Sequence, residues 1–314
     1  MKTIKLGDEN IEMKPCVATI GFFDGVHRGH QFLIKHVVEE ARESGMASAV
    51  ITFDRHPRQV LHSDFIPLLL STPDTKRLLL SKTEIDNCVM LHFDEQMALL
   101  SAHDFMEKIL RDRLNVKKLF IGYDNRFGHN RAEGFDDYVR FGRELGIEVI
   151  RSQSFVLNGI NVSSSVIRKY IARGEVEMAN QYLGYPYTIY GKVVDGFREG
   201  RKLGFPTANL DTEGYGQMIP APGVYAVKTR LQQSVEMKRA MMNIGTRPTF
   251  GGDRLALETH ILNFDGDIYG KTLFVSFMHR LREEQKFDDV KQLIQQLKED
   301  QKMVDEQFDK EMEE

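Results

Sequence analysis

A parallel α/β domain followed by a small antiparallel β barrel or sandwich is the fold class this sequence predicts, and three features predict it. Short apolar runs alternate with amphipathic segments up to about residue 184. Beyond that point short β-rich runs are separated by Gly, Pro and Asp/Asn turns, and the charged stretch from Phe287 onward has helical periodicity. Strand–helix alternation favours a parallel sheet covered on both faces, whereas closely spaced short strands favour a barrel or sandwich.

In chain order, Cys16–Ile20 reads as a buried strand, followed by a glycine-containing turn and a helix near Gln31 to Ser44. Ala47–Phe53 is a second strand, rich in β-formers and ended by the turn around Pro57. Val89–Phe93, Lys118–Ile121 and Ile147–Ile150 read as further strands, with helices at Ala102–Leu114 and Asp136–Leu145. In such sheets ligands gather at the carboxyl ends of strands, here the loops after Ile20, Phe53 and Ile121. Gly184-Tyr185-Pro186-Tyr187 breaks the preceding helical stretch, which divides the chain into residues 1–184 and 185–314. In the second part Thr188–Val194, Gly223–Thr229, Arg239–Ile244, Leu257–Ile261 and Leu273–Met278 read as strands. The closing helix carries Val290, Ile294, Leu297 and Val304 on one side.

Two domains suit 314 residues, a length beyond what one core usually organises. A net charge of -4 gives no general attraction to nucleic acid or to acidic membranes, so anionic partners must meet local sites. No run approaches the roughly 20 apolar residues that span a bilayer. MKTIKLGDEN has no apolar signal-peptide core, and Cys16 and Cys88 are too isolated for a disulfide framework or a metal site. A reduced, cytoplasmic setting is the expectation. The 14 methionines suit core filling, and the sequence carries no mark of oligomeric state.

The first candidate site is Gly21-Phe22-Phe23-Asp24-Gly25-Val26-His27-Arg28-Gly29-His30, which follows the first strand and opens the first helix. His27 and His30, three apart, fall on one side of a helical turn, and Gly29 lets a ligand approach the backbone. The helix N-terminus supplies N–H donors and partial positive charge, a natural phosphate locus. Two such histidines in isolation could equally be surface or zinc-site residues; the strand, the turn and the helix start favour phosphate. A second segment, Val162-Ser163-Ser164-Ser165-Val166-Ile167-Arg168, opens another helical run, where serines are ordinarily caps. An Arg one turn inside could hold a leaving pyrophosphate.

HxGH with a distal Ser-Ser-Ser-x-x-Arg resembles the HxGH class of nucleotidyltransferases. More closely, GFFDGVHRGHQ, TFDRHPR, GYDNRFGHNRAEG and VSSSVIR resemble, in order, the FMN adenylyltransferase module of bacterial bifunctional riboflavin kinase/FAD synthetases. The resemblance implies a Rossmann-like domain in which His27 and His30 serve catalysis. It also implies that Gly21, Phe23, Gly29, Ser164, Ser165 and Arg168 bind ATP, and that Asp124 contacts the flavin. Asp24, Asp54 and His56 are site neighbours. The chain departs from the family pattern at Arg55, where Pro is commoner, and at Asn125, where Phe is common.

The second candidate site lies in Gly191–Leu210, where Gly196, Gly200 and Gly204 allow a loop to fold around phosphates and Arg201 and Lys202 add positive charge. Thr207 and Asn209 offer hard oxygen donors on one face of a strand, with Ala208 turned away. Read alone, the same pattern is a surface hairpin. Glu258 alternates with apolar neighbours in Leu257-Glu258-Thr259-His260-Ile261, either exposed or inward as a base for a substrate hydroxyl. GRKLGFPTANL, GVYAV, NIGTRPTFGG, LETHI and LREEQKF resemble the riboflavin kinase module of the same family. It implies a six-stranded antiparallel barrel with a C-terminal helix, Mg²⁺–ATP on Thr207 and Asn209 beside Gly200, Arg201 and Gly204, and Glu258 activating the ribityl hydroxyl. Asn243, Thr249 and Arg282 would border the flavin.

The two resemblances imply a bifunctional enzyme that makes FMN from riboflavin and ATP, then FAD and pyrophosphate from FMN and a second ATP, with Mg²⁺. Two alternatives remain. An HxGH transferase for another acceptor would leave the barrel degenerate, against which stand Thr207, Asn209 and Glu258. A flavin-binding carrier without turnover would have no use for the histidines or Arg168.

Overall fold

Lys2–Leu6 (β1) and Cys16–Ile20 (β2) open the chain; β2 is buried at every residue, as a central strand covered on both faces must be. The structure is a computed structural model describing residues 1–6, 13–61, 64, 68–123, 125–196, 199–249 and 252–313. It divides into two units, Met1–Ser164 and Ser165–Glu314.

In the first unit Arg28–Glu43 (α1) links β2 to Ala47–Phe53 (β3), packing Leu33, Ile34, Val37, Val38 and Ala41 inward. Pro57–Leu61 (α2) and Pro73–Ser81 (α3) precede Asn87–Leu91 (β4). Glu95–Leu99 (α4) and Ala102–Phe105 (α5) follow, and Met106–Arg111 then winds as a π-helix where an α-helix was expected throughout. Val116–Ile121 (β5), Phe135–Leu145 (α6) and Glu148–Arg151 (β6) complete the sheet, and Val156–Leu157 (β7) with Ile160–Asn161 (β8) forms a hairpin. The sheet is wholly parallel in the order β1-β4-β3-β2-β5-β6.

The chain runs outward from β2 through β3 to β4, then returns to place β5 on the other side of β2. That reversal makes the carboxyl ends of β2 and β5 the crevice in which open α/β sheets bind ligands. Asn125, in the loop after β5, closes it from one side by donating its amide to the Ile20 carbonyl at 2.5 Å. β4 ends at Leu91, two residues short of its expected end, and His92 turns to the Asp54 carboxylate at 2.6 Å. β1 and α3 have no counterpart in the sequence reading.

The second unit begins with Ser164–Arg173 (α7, whose first residue belongs to the first unit) and Val176–Leu183 (α8). Asn180 ties α8 to the following strands, donating to the Phe277 carbonyl at 2.8 Å and accepting the Tyr187 N–H at 2.6 Å. Thr188–Val194 (β9), Ala208–Asp211 (β10), Gly223–Leu231 (β11), Lys238–Thr249 (β12), Gly252–Ile261 (β13) and Thr272–Arg282 (β14) close a barrel in the order β10-β13-β12-β11-β14-β9. Every neighbouring pair is antiparallel. Glu199–Lys202 (α9) is one short turn inside the β9–β10 connection.

Val290–Glu313 (α10) lays Val304 and Phe308 on the barrel against Phe205, Ala226, Met241 and Leu262. Full burial of each of these two side chains is worth about 1.5–3 kcal/mol. The inward row is shifted from the expected one: Val290 is exposed, and the buried Asp300 lies between Leu297 and Val304. Among the described residues no helix is long and apolar enough to cross a membrane.

Candidate active sites

After β2 the Gly21 N–H donates to the Ile51 carbonyl at 3.0 Å, and the chain turns sharply. Phe23 takes a left-handed conformation with φ 53° and ψ 39°, a strained choice for a bulky residue. Its ring is buried, lies edge-on to His30 with centroids 5.0 Å apart, and packs against Gly21. Asp24, also buried, accepts the Leu70 and Ser71 N–H groups at 3.0 and 3.1 Å, while the Gly25 N–H donates to the Ser71 hydroxyl at 2.9 Å. Ser164 donates its hydroxyl to the Asp24 carbonyl at 3.0 Å. The turn is thereby gripped by two distant segments before α1 begins.

His27 is the N-cap of α1, its Nδ1 accepting the His30 N–H at 3.3 Å. An accepting Nδ1 leaves the proton of the neutral ring on Nε2. The two imidazoles are stacked, with centroids 3.6 Å apart and an interplanar angle of 17°. The expected common side is therefore formed, as a face-to-face pair. Gly29 serves this stack: a Cβ there would stand 3.0 Å from the Val162 carbonyl oxygen and 3.2 Å from the His27 ring. Its missing side chain admits protein where the sequence reading had expected ligand.

Burial pushes the His30 imidazole well below its ordinary pKa, and the His27 ring and the Lys76 ammonium push the same way. Its Nδ1 is shut off from solvent and has no hydrogen-bond partner. A neutral His30 can donate to phosphate oxygens without discharging a proton first. Ser165 is exposed and Arg168 half-buried on α7. Asp124 lies outside the described residues.

Beside this turn, burial works to raise the Asp54 carboxyl but is outweighed by His92, the Phe93 N–H and Arg55, which hold it below its usual range. His56 stands edge-on to Phe22 at 4.8 Å. Arg55 is half-exposed, 3.8 Å from Asp54, and Asn125 meets backbone, so these two departures fall on local structure.

The barrel holds a cavity of about 390 Å³, lined among others by Gly200, Phe205, Thr207, Asn209, Asn243, Glu258, His260 and Arg282. The register explains the gathering. Asn209 on β10 pairs with Glu258 on β13, which pairs with Asn243 on β12, so the three form one cross-strand row. Thr207 joins Asn209 in the lining while Ala208 is buried away from it, the expected alternation. A Cβ at Gly196 would collide with the Asn209 amide, so a side chain there would displace it.

The Phe205 N–H donates to the Gly200 carbonyl at 2.8 Å, closing the glycine loop over Thr207. Arg201 is exposed on α9, and it and Gly204 stand outside the lining. Thr249 ends β12 opposite Gly252, six positions from Asn243, and its side chain lies outside the described residues.

His260 and Asp300 are among the lining residues that were not singled out in the sequence. The His260 Nδ1 donates to the Pro206 carbonyl at 2.8 Å, fixing the residue before Thr207. Asp300 takes the Arg282 guanidinium in a bidentate pair at 2.8 and 2.7 Å, with Gln296 adding a third hydrogen bond at 3.0 Å. Lys76, buried beneath the first site, was also unread.

Thr207 and Asn209 supply two neutral oxygens, and no group of three His, Cys, Asp or Glu residues among the described ones could hold a metal. Such a donor set fits a Mg²⁺ ion that arrives on nucleotide phosphates and keeps several waters, the usual habit of this cation. It does not fit an all-protein cage.

A family model described as FAD synthetase matches residues 9–166, and one described as riboflavin kinase matches residues 183–308. A bifunctional riboflavin kinase/FMN adenylyltransferase of Haemophilus influenzae is 37% identical, covering 92% of this chain and 94% of that protein. Its namesake in Escherichia coli K12 is 36% identical with 96% of each covered, and that of Listeria monocytogenes 37% identical with the same coverage. A solved structure described as a macrolide-efflux protein from Streptococcus pneumoniae superposes with a TM-score of 0.86 at 32% identity, covering 96% of this chain and 98% of that one.

Proposed function

The chain belongs to the bifunctional riboflavin kinase/FMN adenylyltransferase family, and from that membership we propose how its own residues divide the two reactions. The protein phosphorylates riboflavin to FMN with ATP and transfers AMP from ATP to FMN, giving FAD and pyrophosphate.

Kinase chemistry belongs to the barrel cavity. Glu258 accepts the proton of the ribityl hydroxyl as that oxygen attacks the γ-phosphorus, and ADP leaves. Thr207 and Asn209 would hold Mg²⁺, which when bound neutralises charge on the phosphate tail. The Gly200–Gly204 loop, with Arg201, borders that tail. Asn243, Arg282 and Thr249 border the flavin. The observation that supports this reading is the Asn209–Glu258–Asn243 row, three paired positions that all line the cavity.

Adenylyl transfer belongs to the turn after β2. Stacked His27 and His30 donate to phosphate oxygens as charge builds when an FMN phosphate oxygen attacks the α-phosphorus. Positioning and electrostatics suffice for that displacement, and no covalent enzyme intermediate is needed. Gly21, Phe23 and Gly29 act through the backbone of the turn; Ser164, Ser165 and Arg168 bind nucleotide phosphates, and Asp124 the flavin. In sequence this portion runs to residue 184, with the kinase portion at 185–314 and a cytoplasmic setting.

Incubating the purified chain with riboflavin, ATP and Mg²⁺ and separating flavins by chromatography tests the reading. FMN then FAD is expected. FMN alone would remove the adenylyl-transfer assignment, and neither product would remove both.

A further inference from the structure

Lys76 stands on α3 with only 3% of its surface exposed. Its ammonium donates to the Phe22 carbonyl at 3.0 Å, the Thr52 hydroxyl at 3.1 Å and the Phe53 carbonyl at 3.0 Å. All three donors of the ammonium are used, and every acceptor is neutral. The Thr52 hydroxyl itself donates to the Phe22 carbonyl at 3.1 Å, and the ammonium sits 4.2 Å from the Phe22 ring centroid. Burying a cation against neutral acceptors is costly, and lysines so placed tend to serve a function.

The place of these acceptors is informative. Phe22 immediately precedes the strained Phe23 that starts the histidine turn, and Phe53 ends β3, the strand beside β2. Lys76 therefore clamps two neighbouring loops at the carboxyl edge of the sheet. Its helix is fastened to the same turn from a second direction, through Asp24 on Leu70 and Ser71.

We propose that Lys76 is a positioning residue for adenylyl transfer, its buried ammonium holding the turn that delivers His27 and His30. The proposal rests on the reading of those histidines as the phosphate-facing pair. Groups that act on the ammonium are Asp24 in the turn, Asp54 after β3, Cys88 on β4, and the His30 ring on α1. Burial lowers the Lys76 pKa to about 8 against the pull of Asp24, Cys88 and Asp54. Above that pH the amine keeps two donors and loses its charge, so the clamp on the turn weakens.

The test uses the full chain and follows FMN adenylylation, with riboflavin phosphorylation in the same preparation as internal control. For K76M we expect adenylylation kcat to fall tenfold or more, phosphorylation to stay within twofold, and the His30 imidazole titration seen by NMR to move up toward the ordinary histidine value. Wild-type adenylylation should decline as pH rises through about 8. K76R, which keeps its charge throughout that range, should not show that decline. Folded K76M with adenylylation within twofold of wild type and an unmoved His30 titration overturns the proposal; so does a wild-type rate flat from about pH 7 to about pH 9. Should neither variant fold, the wild-type profile decides alone. H30A separates the two claims. If it retains full adenylylation, the imidazole reading falls and the Lys76 proposal with it; if it loses adenylylation while K76M keeps it, the Lys76 proposal alone falls.

Discussion

Asn209 lies directly opposite Glu258 in the β10–β13 pairing, so a neutral oxygen donor and a carboxylate occupy adjoining positions on the cavity wall. On the proposed reading, Asn209 meets the metal-bearing phosphates and Glu258 the acceptor hydroxyl. Asn209→Ala should therefore raise KM for Mg²⁺–ATP with a smaller loss of kcat. Steady-state kinetics at varied ATP check this, and a kcat loss with unchanged KM would contradict it.

Gly196→Ala tests how that donor is placed. A Cβ at residue 196 would collide with the Asn209 amide. Riboflavin phosphorylation should drop at least about tenfold, the scale set when one positioned group moves by an ångström. FMN adenylylation should remain within twofold. Both are read from initial rates on one preparation.

Asp300→Ala should leave the Arg282 guanidinium half-enclosed without its bidentate partner. Stranding one member of a buried ion pair costs about 3–5 kcal/mol. A denaturant titration followed by a barrel reporter should show that loss, and flavin affinity at the kinase site should fall with it. An unchanged midpoint would mean that the pair contributes nothing.

The strands of the barrel, though not their order, were legible because alternation and turn residues mark antiparallel strands locally, and Cys16–Ile20 and Ala47–Phe53 were legible because buried parallel strands are unbroken apolar runs. His27 and His30 were singled out by their spacing, which the stacked rings reflect; Thr207, Asn209 and Glu258 were singled out through the family resemblance, and all three line one cavity. Lys76 was hidden, since a lone lysine reads as surface and its three acceptors come from residues 22, 52 and 53. Asp300 was hidden for the same reason: an acid in an apolar helical stripe has meaning only once Arg282 is known to face it. Gly29 was found for an incomplete reason, because the Val162 carbonyl that crowds it is remote in sequence.

Acid should destabilise the first unit through His30. Burial holds its folded pKa well below the ordinary histidine value, so below about pH 6.5 the unfolded chain takes up a proton that the folded chain refuses. Stability present above that pH is lost as pH falls. Hydrogen exchange of β2 and α1 amides should accelerate between pH 7.5 and pH 5.5 after correction for intrinsic rates, and His30→Gln should reduce the change.

Glu258→Gln in the full chain is the most direct test that two separate sites share the work. Given riboflavin, the variant should lose at least about a hundredfold in FMN formation, the usual scale of a general base; given FMN, it should form FAD at the wild-type rate. Loss of both activities in folded protein, or phosphorylation within a few fold of wild type, would contradict the assignment of chemistry to the barrel row.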